Sequence, residues 1–278
     1  MFNDQTVVIT GAGRGIGASA ALQFAEHGAS VVVNDLDAAM AAETANAIMS
    51  QGGQAVAVSG DVTAAGFPEL LMQTAVDTFG KLNVVVNNAG YTWDAMAHKL
   101  TDEQWQAILD VHLTAPFRMI RAAAPFLRTA AAAELEFGAN LSNRCIVNVS
   151  STSGLHGNIG QANYAAGKMG IVGLTKTIAK EWGRLGIRCN AVAFGFIDTR
   201  LTRPQEVQEE AIEIDGREVV LGIPQKVRSM LDKDIHLRIP LGRPATAEEA
   251  ASGIVLIASP LASYITGHVL EVTGGMGI

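Results

Sequence analysis

Tyr164 and Lys168 lie four residues apart in Asn163-Tyr164-Ala-Ala-Gly-Lys168, one helical turn from each other on a common face. A phenol at its ordinary pKa of about 10 holds its proton too tightly for exchange near neutral pH, and an adjacent ammonium lowers that value by stabilising the phenolate. Such a pair can pass a proton to or from an alkoxide. Taken alone, the spacing fits a solvated Tyr/Lys pair on an amphipathic helix better. Ser151 stands thirteen residues before Tyr164, with Ser150 and Ser153 beside it.

A second group suits a ligand with phosphates. Thr10-Gly11-Ala12-Gly13-Arg14-Gly15-Ile16-Gly17 follows an apolar run and opens a helical pattern. Glycines let the backbone approach a pyrophosphate closely, and the amides and dipole of the next helix stabilise its charge. The glycines at 11, 15 and 17 depart from the usual G-x-G-x-x-G spacing, with Gly13 as an extra one inside the turn. The next apolar run ends in Asn34-Asp35. A carboxylate there accepts hydrogen bonds from an adenine-ribose diol and repels a 2′-phosphate, which favours NAD over NADP. Two readings compete with it. Asp35 also suits a loop cap, and the Arg14 guanidinium could pair with a 2′-phosphate, so NADP stays open.

These residues need a scaffold, and the hydrophobic pattern supplies one. Short β-branched runs at 6–10, 30–34, 55–59, 84–87, 145–149, 188–192 and 269–272 read as strands that are apolar throughout, as strands buried on both faces are. Helical periodicity fills 16–26, 38–51, 68–79, 102–127, 163–185 and 247–258 between them. The alternation predicts an α/β fold, a Rossmann-type doubly wound parallel sheet with helices on both faces, formed by residues 1–278 as one domain. Two long connections interrupt it, at 128–144 and around 200–240. The second contains alternating residues on either side of Asp215-Gly216, a hairpin signal, and reads as a substrate-loop insertion.

Composition narrows the function classes. With 278 residues, 49% hydrophobic and only 17% charged, the chain can bury a large core, which excludes disorder, collagen and coiled coil. Its 20 Lys and Arg against 27 Asp and Glu give a net charge of −7, so a nucleic-acid partner is not expected. Cys145 and Cys189 sit in apolar stretches without metal-ligand spacing, so no metal site is expected and both read as buried thiols. No run reaches bilayer-spanning length and no leader pattern precedes the first strand, from which a cytoplasmic, membrane-free protein is expected.

The turn at 10–17, Asn87-Asn88-Ala89-Gly90 after the fourth strand, Ser151 and Tyr164-Ala-Ala-Gly-Lys168 occur in an order and spacing that together resemble the short-chain dehydrogenase/reductase family. Gly195-Phe-Ile-Asp-Thr199 and the segment from Tyr264 to Gly275 extend the likeness over nearly the whole chain. The resemblance implies that Tyr164 is the acid/base, that Lys168 also binds the nicotinamide ribose, and that Ser151 hydrogen-bonds the substrate oxygen. It implies further that Asp61 and Val62 flank the adenine, that Asn88, Ala89 and Gly90 line the cofactor, and that Ile197 and Thr199 approach the carboxamide. Gly11, Gly13, Arg14, Gly15, Ile16 and Gly17 would form the cofactor turn. Two positions depart from the family pattern. His112 replaces the usual asparagine that holds a proton-relay water, and a neutral imidazole could hold the same water or simply pack between helices. Phe194-Gly195 replaces the usual Pro-Gly.

His112-Leu113 and Gly157-Asn-Ile-Gly-Gln-Ala-Asn-Tyr164 are similar to hydroxyacyl-CoA dehydrogenase domains of multifunctional β-oxidation enzymes, and the second motif with Pro240-Leu-Gly-Arg-Pro244 is similar to 3-oxoacyl-acyl-carrier-protein reductases. Both likenesses imply a 3-oxoacyl or 3-hydroxyacyl thioester as substrate partner and, from the family's habit, a homotetramer. The alternatives are another secondary alcohol, such as a steroid or polyol, and a cofactor-binding protein without turnover. Arg203, Arg217, Lys226 and Arg228 in the long loop could meet a phosphate, but read more simply as solvated charges.

Overall fold

The computed structural model describes residues 1–204, 211–214, 217–233 and 235–277. In chain order its elements begin β1 (Thr6–Ile9), α1 (Gly15–Glu26), β2 (Ser30–Asp35), α2 (Ala38–Ser50), β3 (Gln54–Ser59), α3 (Phe67–Phe79) and β4 (Val84–Asn87). They continue with α4 (Asp102–Leu109), α5 (Ala115–Glu136), β5 (Arg144–Ser151), α6 (Thr152–His156), α7 (Ala162–Trp182) and β6 (Ile187–Phe194). The last part holds β7 (Ala211–Ile214), β8 (Arg217–Val220), α8 (Gln225–Lys233), α9 (Ile235–Arg238), α10 (Ala247–Ala258) and β9 (Val269–Val272).

Seven strands form one parallel sheet in the order β3-β2-β1-β4-β5-β6-β9. Because successive side chains of a strand point to opposite faces, each strand feeds two cores. Val7 and Ile9 pack with Phe24, Ile48 and Ile254 on the side of α1, α2 and α10. Val8 packs with Leu71, Met119 and Trp182 on the side of α3, α5 and α7. The continuous apolar runs are thereby explained, and the doubly wound Rossmann-type expectation is met. The strand order reverses between β1 and β4, so the chain leaves their carboxyl ends in opposite directions and opens a crevice there.

Two segments differ from the sequence pattern. The helix expected over 102–127 is broken by a wide π turn at Asp110–Thr114, in which the Ala115 amide reaches back to the Asp110 carbonyl. Pro116 is the cause: its ring would collide with the carbonyl four residues back, that of His112, and widening the turn relieves the clash. The stretch expected to be a long connection after Arg128 instead stays helical to Glu136. Glu134 accepts both Arg144 terminal nitrogens at 2.7 Å and the amide and hydroxyl of Ser142, which ties the end of α5 to the start of β5. That guanidinium holds the Glu134 carboxyl down at about 2.

Among the described residues, the 200–240 segment holds β7, β8, α8 and α9. β7 and β8 pair antiparallel with Ile214 opposite Arg217, as a two-residue hairpin requires, while Asp215 and Gly216 lie outside the described residues.

Candidate active site

A cleft of about 1330 Å³ opens over the carboxyl ends of the strands, from the glycine turn at one end to Ser151, Tyr164 and Lys168 and on to the 200–240 segment. It is the place where an open α/β sheet accepts a ligand. The three residues arrive there from two elements: Ser151 ends β5, and Tyr164 and Lys168 stand one turn apart on α7.

Each serine has a distinct partner. Ser150 is buried and donates to the Lys168 carbonyl at 2.7 Å, which anchors β5 to α7. Ser151 accepts from the Ser153 amide at 3.1 Å, and its hydroxyl favours the ionised form of Tyr164. Lys168 Nζ donates to the Val149 carbonyl at 2.7 Å and lies 5.6 Å from the centre of the Tyr164 ring.

Burial, rather than the lysine charge, dominates the electrostatics. Removal from water pushes the Tyr164 phenol up to about 12, against the opposing hydrogen bond from Ser151. It pulls Lys168 down to about 7. Both groups are pushed toward their neutral forms, because desolvation penalises the charged form of each.

His112 is seated by the π turn and is nearly inaccessible, with 3% of its surface exposed. Its ring meets the Tyr164 ring edge-on with centroids 4.9 Å apart. Nε2 lies 2.7 Å from the Tyr91 carbonyl, which can only accept, so Nε2 carries the hydrogen and Nδ1 is left as an acceptor. Nδ1 is buried and has no partner among the described residues. Burial and the nearby Lys168 hold the imidazole well below its ordinary pKa, and it is neutral at neutral pH. Gly90 is what leaves it room, since a Cβ there would overlap the imidazole.

The glycine turn is fitted on three sides. A Cβ on Gly11 would sit 2.7 Å from Ala89 Cα, and one on Gly17 would strike the Gly11 carbonyl. Asn88 donates to the carbonyls of Thr10 and Gly11 at 2.9 and 3.0 Å, which joins β4 to the turn. Gly13 does not line the cleft; its amide donates to Asp35 at 2.9 Å, where any Cβ would crowd the carboxylate. Gly15 lines the cleft with φ of +54° and open space beside it, which suits close approach of a ligand to bare backbone. Beyond it α1 begins without a side-chain cap, so its first amides stay available for an anion.

The remaining expected residues fall along the same wall. Arg14, Ile16, Asp35, Asp61, Val62, Ala89, Gly90, Ile197 and Thr199 all line the cleft. Arg14 forms an ion pair with Asp37 at 2.9 Å. The missing proline before Gly195 is compensated by the sheet: β6 runs through Phe194, and the Gly195 amide donates to the Val272 carbonyl at 3.1 Å.

Sequence reading gave no role to Asn163, Tyr91 or Asp94. Asn163 is fully buried, donates to the carbonyls of Trp93 and Gln104 at 3.2 and 3.0 Å and accepts from the Tyr164 amide at 2.8 Å. It locks the 91–95 loop and α4 onto the turn of α7 that presents Tyr164. Asp94 accepts from Gln161 at 2.9 Å, and its charge is a further cause of the raised Tyr164 value.

A dinucleotide fits this arrangement: bare backbone at Gly15, an uncapped helix start, and a carboxylate at the end of β2. A short chain dehydrogenase family model matches residues 5–210. A 3-oxoacyl-acyl-carrier-protein reductase of Synechocystis sp. is 37% identical over 274 residues, covering 98% of this chain and 96% of that protein. A (3R)-3-hydroxyacyl-CoA dehydrogenase of Canis lupus familiaris is 37% identical over 280 residues, with 97% and 95% covered. A 3-oxoacyl-acyl-carrier-protein reductase of Thermotoga maritima is 34% identical over 273 residues, with 98% and 97% covered. The chain belongs to the short-chain dehydrogenase family. It is an oxidoreductase acting on CH–OH groups with a nicotinamide cofactor. Among the described residues no helix is long and apolar enough to cross a membrane, and no cluster of three His, Cys, Asp or Glu could hold a metal.

Proposed function

We propose that residues 1–278 act as one catalytic domain that transfers a hydride between NAD and a 3-oxoacyl or 3-hydroxyacyl thioester, borne by CoA or acyl-carrier protein, with Tyr164 as acid/base. The cofactor, when bound, supplies or accepts the hydride. In reduction Tyr164 gives its phenolic proton to the substrate oxygen as charge builds there; in oxidation it takes the hydroxyl proton. Burial keeps Tyr164 protonated at neutral pH, the form that reduction requires. Ser151 orients the same oxygen through its hydroxyl. Lys168, half charged near pH 7, holds the nicotinamide ribose and replenishes the Tyr164 proton. His112 offers Nδ1 to a water on that proton path.

Gly11, Gly15, Ile16 and Gly17 hold the pyrophosphate, with Asp61, Val62, Asn88, Ala89 and Gly90 along the adenine and ribose and Ile197 and Thr199 at the carboxamide. Asp35 reads the adenine ribose. The pairing of Arg14 with Asp37 supports NAD over NADP, because it engages the guanidinium that a 2′-phosphate would use. A homotetramer is supported by exposed Trp105 and Phe117 on α4 and α5 and exposed Met169 on α7, apolar side chains that a subunit contact would cover.

Ser151, Tyr164 and Lys168 together on the wall of the cleft, with Lys168 buried and held by the Val149 carbonyl, carry the catalytic reading. Acetoacetyl-CoA-dependent oxidation of NADH and, separately, NADPH, followed at 340 nm, tests it. Turnover is expected to be faster with NADH and to vanish in Tyr164→Phe while NADH binding persists. Cofactor binding without turnover would move the substrate to another secondary alcohol or ketone, and turnover by Tyr164→Phe would show that the acid lies elsewhere.

A further inference from the structure

We infer that Arg238 binds a phosphate on the arm that carries the acyl thioester and so makes the cleft select phosphate-bearing thioesters; the inference rests on the thioester reading above. On α9, Ile235, Arg238 and Ile239 line the cleft, and their spacing puts them on one helical face. Leu237, 76% exposed, points away from it. Ile223 and Met276 line the same cleft.

Every other Arg or Lys lining this cleft is already engaged. Arg14 is paired with Asp37 at 2.9 Å, Lys168 donates to Val149 at 2.7 Å, and Arg200 has interactions of its own. Of the loop cations that could meet a phosphate, Lys226 does not line the cleft, and Arg228 and Arg203 are committed. Arg228 pairs with Asp232 at 2.9 Å, donates to the Thr202 carbonyl and stacks over Phe196, and Arg203 faces Asp198 at 3.5 Å. Arg238 lines the cleft and has no hydrogen bond or ion pair among the described residues.

A planar guanidinium fork matches phosphate oxygens two at a time. A cleft wall with Ile235, Ile239 and Ile223 beside such a fork suits a slender chain that has apolar segments between its polar groups and is anionic at its end. A pantetheine arm esterified to phosphate has that character, and its phosphate is common to CoA and to carrier protein.

The test compares acetoacetyl-pantetheine, acetoacetyl-phosphopantetheine and acetoacetyl-CoA as substrates of the wild-type protein, Arg238→Gln and Arg238→Lys. Wild type is expected to show a lower KM for the two phosphate-bearing thioesters, and Arg238→Gln to shrink that preference about tenfold. Arg238→Lys should restore part of it. The wild-type preference should also weaken as salt rises, a readout that needs no variant. Loss with phosphopantetheine places the contact at the phosphate shared by both carriers; loss with CoA alone places it at the nucleotide phosphates, and either supports a phosphate contact. A preference untouched by Arg238→Gln and by salt overturns the inference. Absence of turnover by the wild-type protein with all three thioesters overturns the substrate reading itself, which separates the two failures.

Discussion

Lys168 gives the sharpest physical test, because its burial links stability to pH with a known sign. Its ammonium is pulled from an ordinary 10.5 to about 7 by desolvation, with the Val149 carbonyl as its hydrogen-bond acceptor. The folded state therefore binds fewer protons than the unfolded chain between these two values. Stability rises with pH through that window and has lost the full amount below its lower edge. The total is about 5 kcal/mol, and about 2 kcal/mol of it is recovered between pH 7 and pH 9. Lys168→Met keeps the stem and removes the charge. It also removes one hydrogen bond, a loss of about 1 kcal/mol with little dependence on pH. Urea melts of both proteins at fixed protein concentration, at pH 7 and pH 9, isolate the linkage. The variant is expected to be the more stable at pH 7, with its advantage shrinking by about 2 kcal/mol at pH 9. Tyr164 faces Lys168 in both proteins, and His112, which Lys168 helps to hold low, is kept there first by burial and stays neutral at both pH values in either protein. An offset identical at the two pH values would show that Lys168 is not held near 7.

Asp35→Ala removes the carboxylate that receives the Gly13 amide and faces the cleft, and should lower the NADH-to-NADPH ratio of kcat/KM about tenfold. An unaltered ratio means that Asp35 does not read the ribose. Gly90→Ala drives a methyl into the His112 ring and should reduce both turnover and stability, the latter by about 1–3 kcal/mol; an unchanged melting temperature and kcat would show that the ring moves freely. Sedimentation should give about four times the 29.1 kDa of one chain, and a species of one chain mass refutes the tetramer.

The sheet was legible because its strands are buried on both faces. Val84–Asn87 and Val269–Val272 have the bounds that their apolar runs predict, and Ala247–Ala258 begins where Thr246 and Glu249 form a capping box. The errors arose where distant residues decide. Nothing local says that α5 continues to Glu136, since the Arg144 and Ser142 that fix Glu134 come from after the helix. The break at Asp110–Thr114 did have a local signal in Pro116, which a periodicity count overlooks because Met119, Ile120 and Ala123 continue the apolar face beyond it.

The site divides along the same line. Spacing alone put Tyr164 and Lys168 on one helical face, yet the direction of their pKa shifts depends on how much water the folded chain removes, which no four-residue spacing contains. Burial is the largest cause of the raised Tyr164 value, and the Asp94 charge adds to it. The same holds for His112. Its residue type allowed either tautomer; the Tyr91 carbonyl, twenty-one residues away in sequence, selects the one that leaves Nδ1 open, and Gly90 and the Pro116-imposed π turn make the space for it. An asparagine there would bring both a donor and an acceptor to the cavity, whereas this imidazole brings an acceptor alone. Any water it orders must point a hydrogen at Nδ1, leaving its other hydrogen and its lone pairs for the Lys168 side of the cavity. The Tyr91 carbonyl thereby sets what this imidazole can offer a water beside it, an acceptor alone, on a ring that burial and the nearby Lys168 hold neutral.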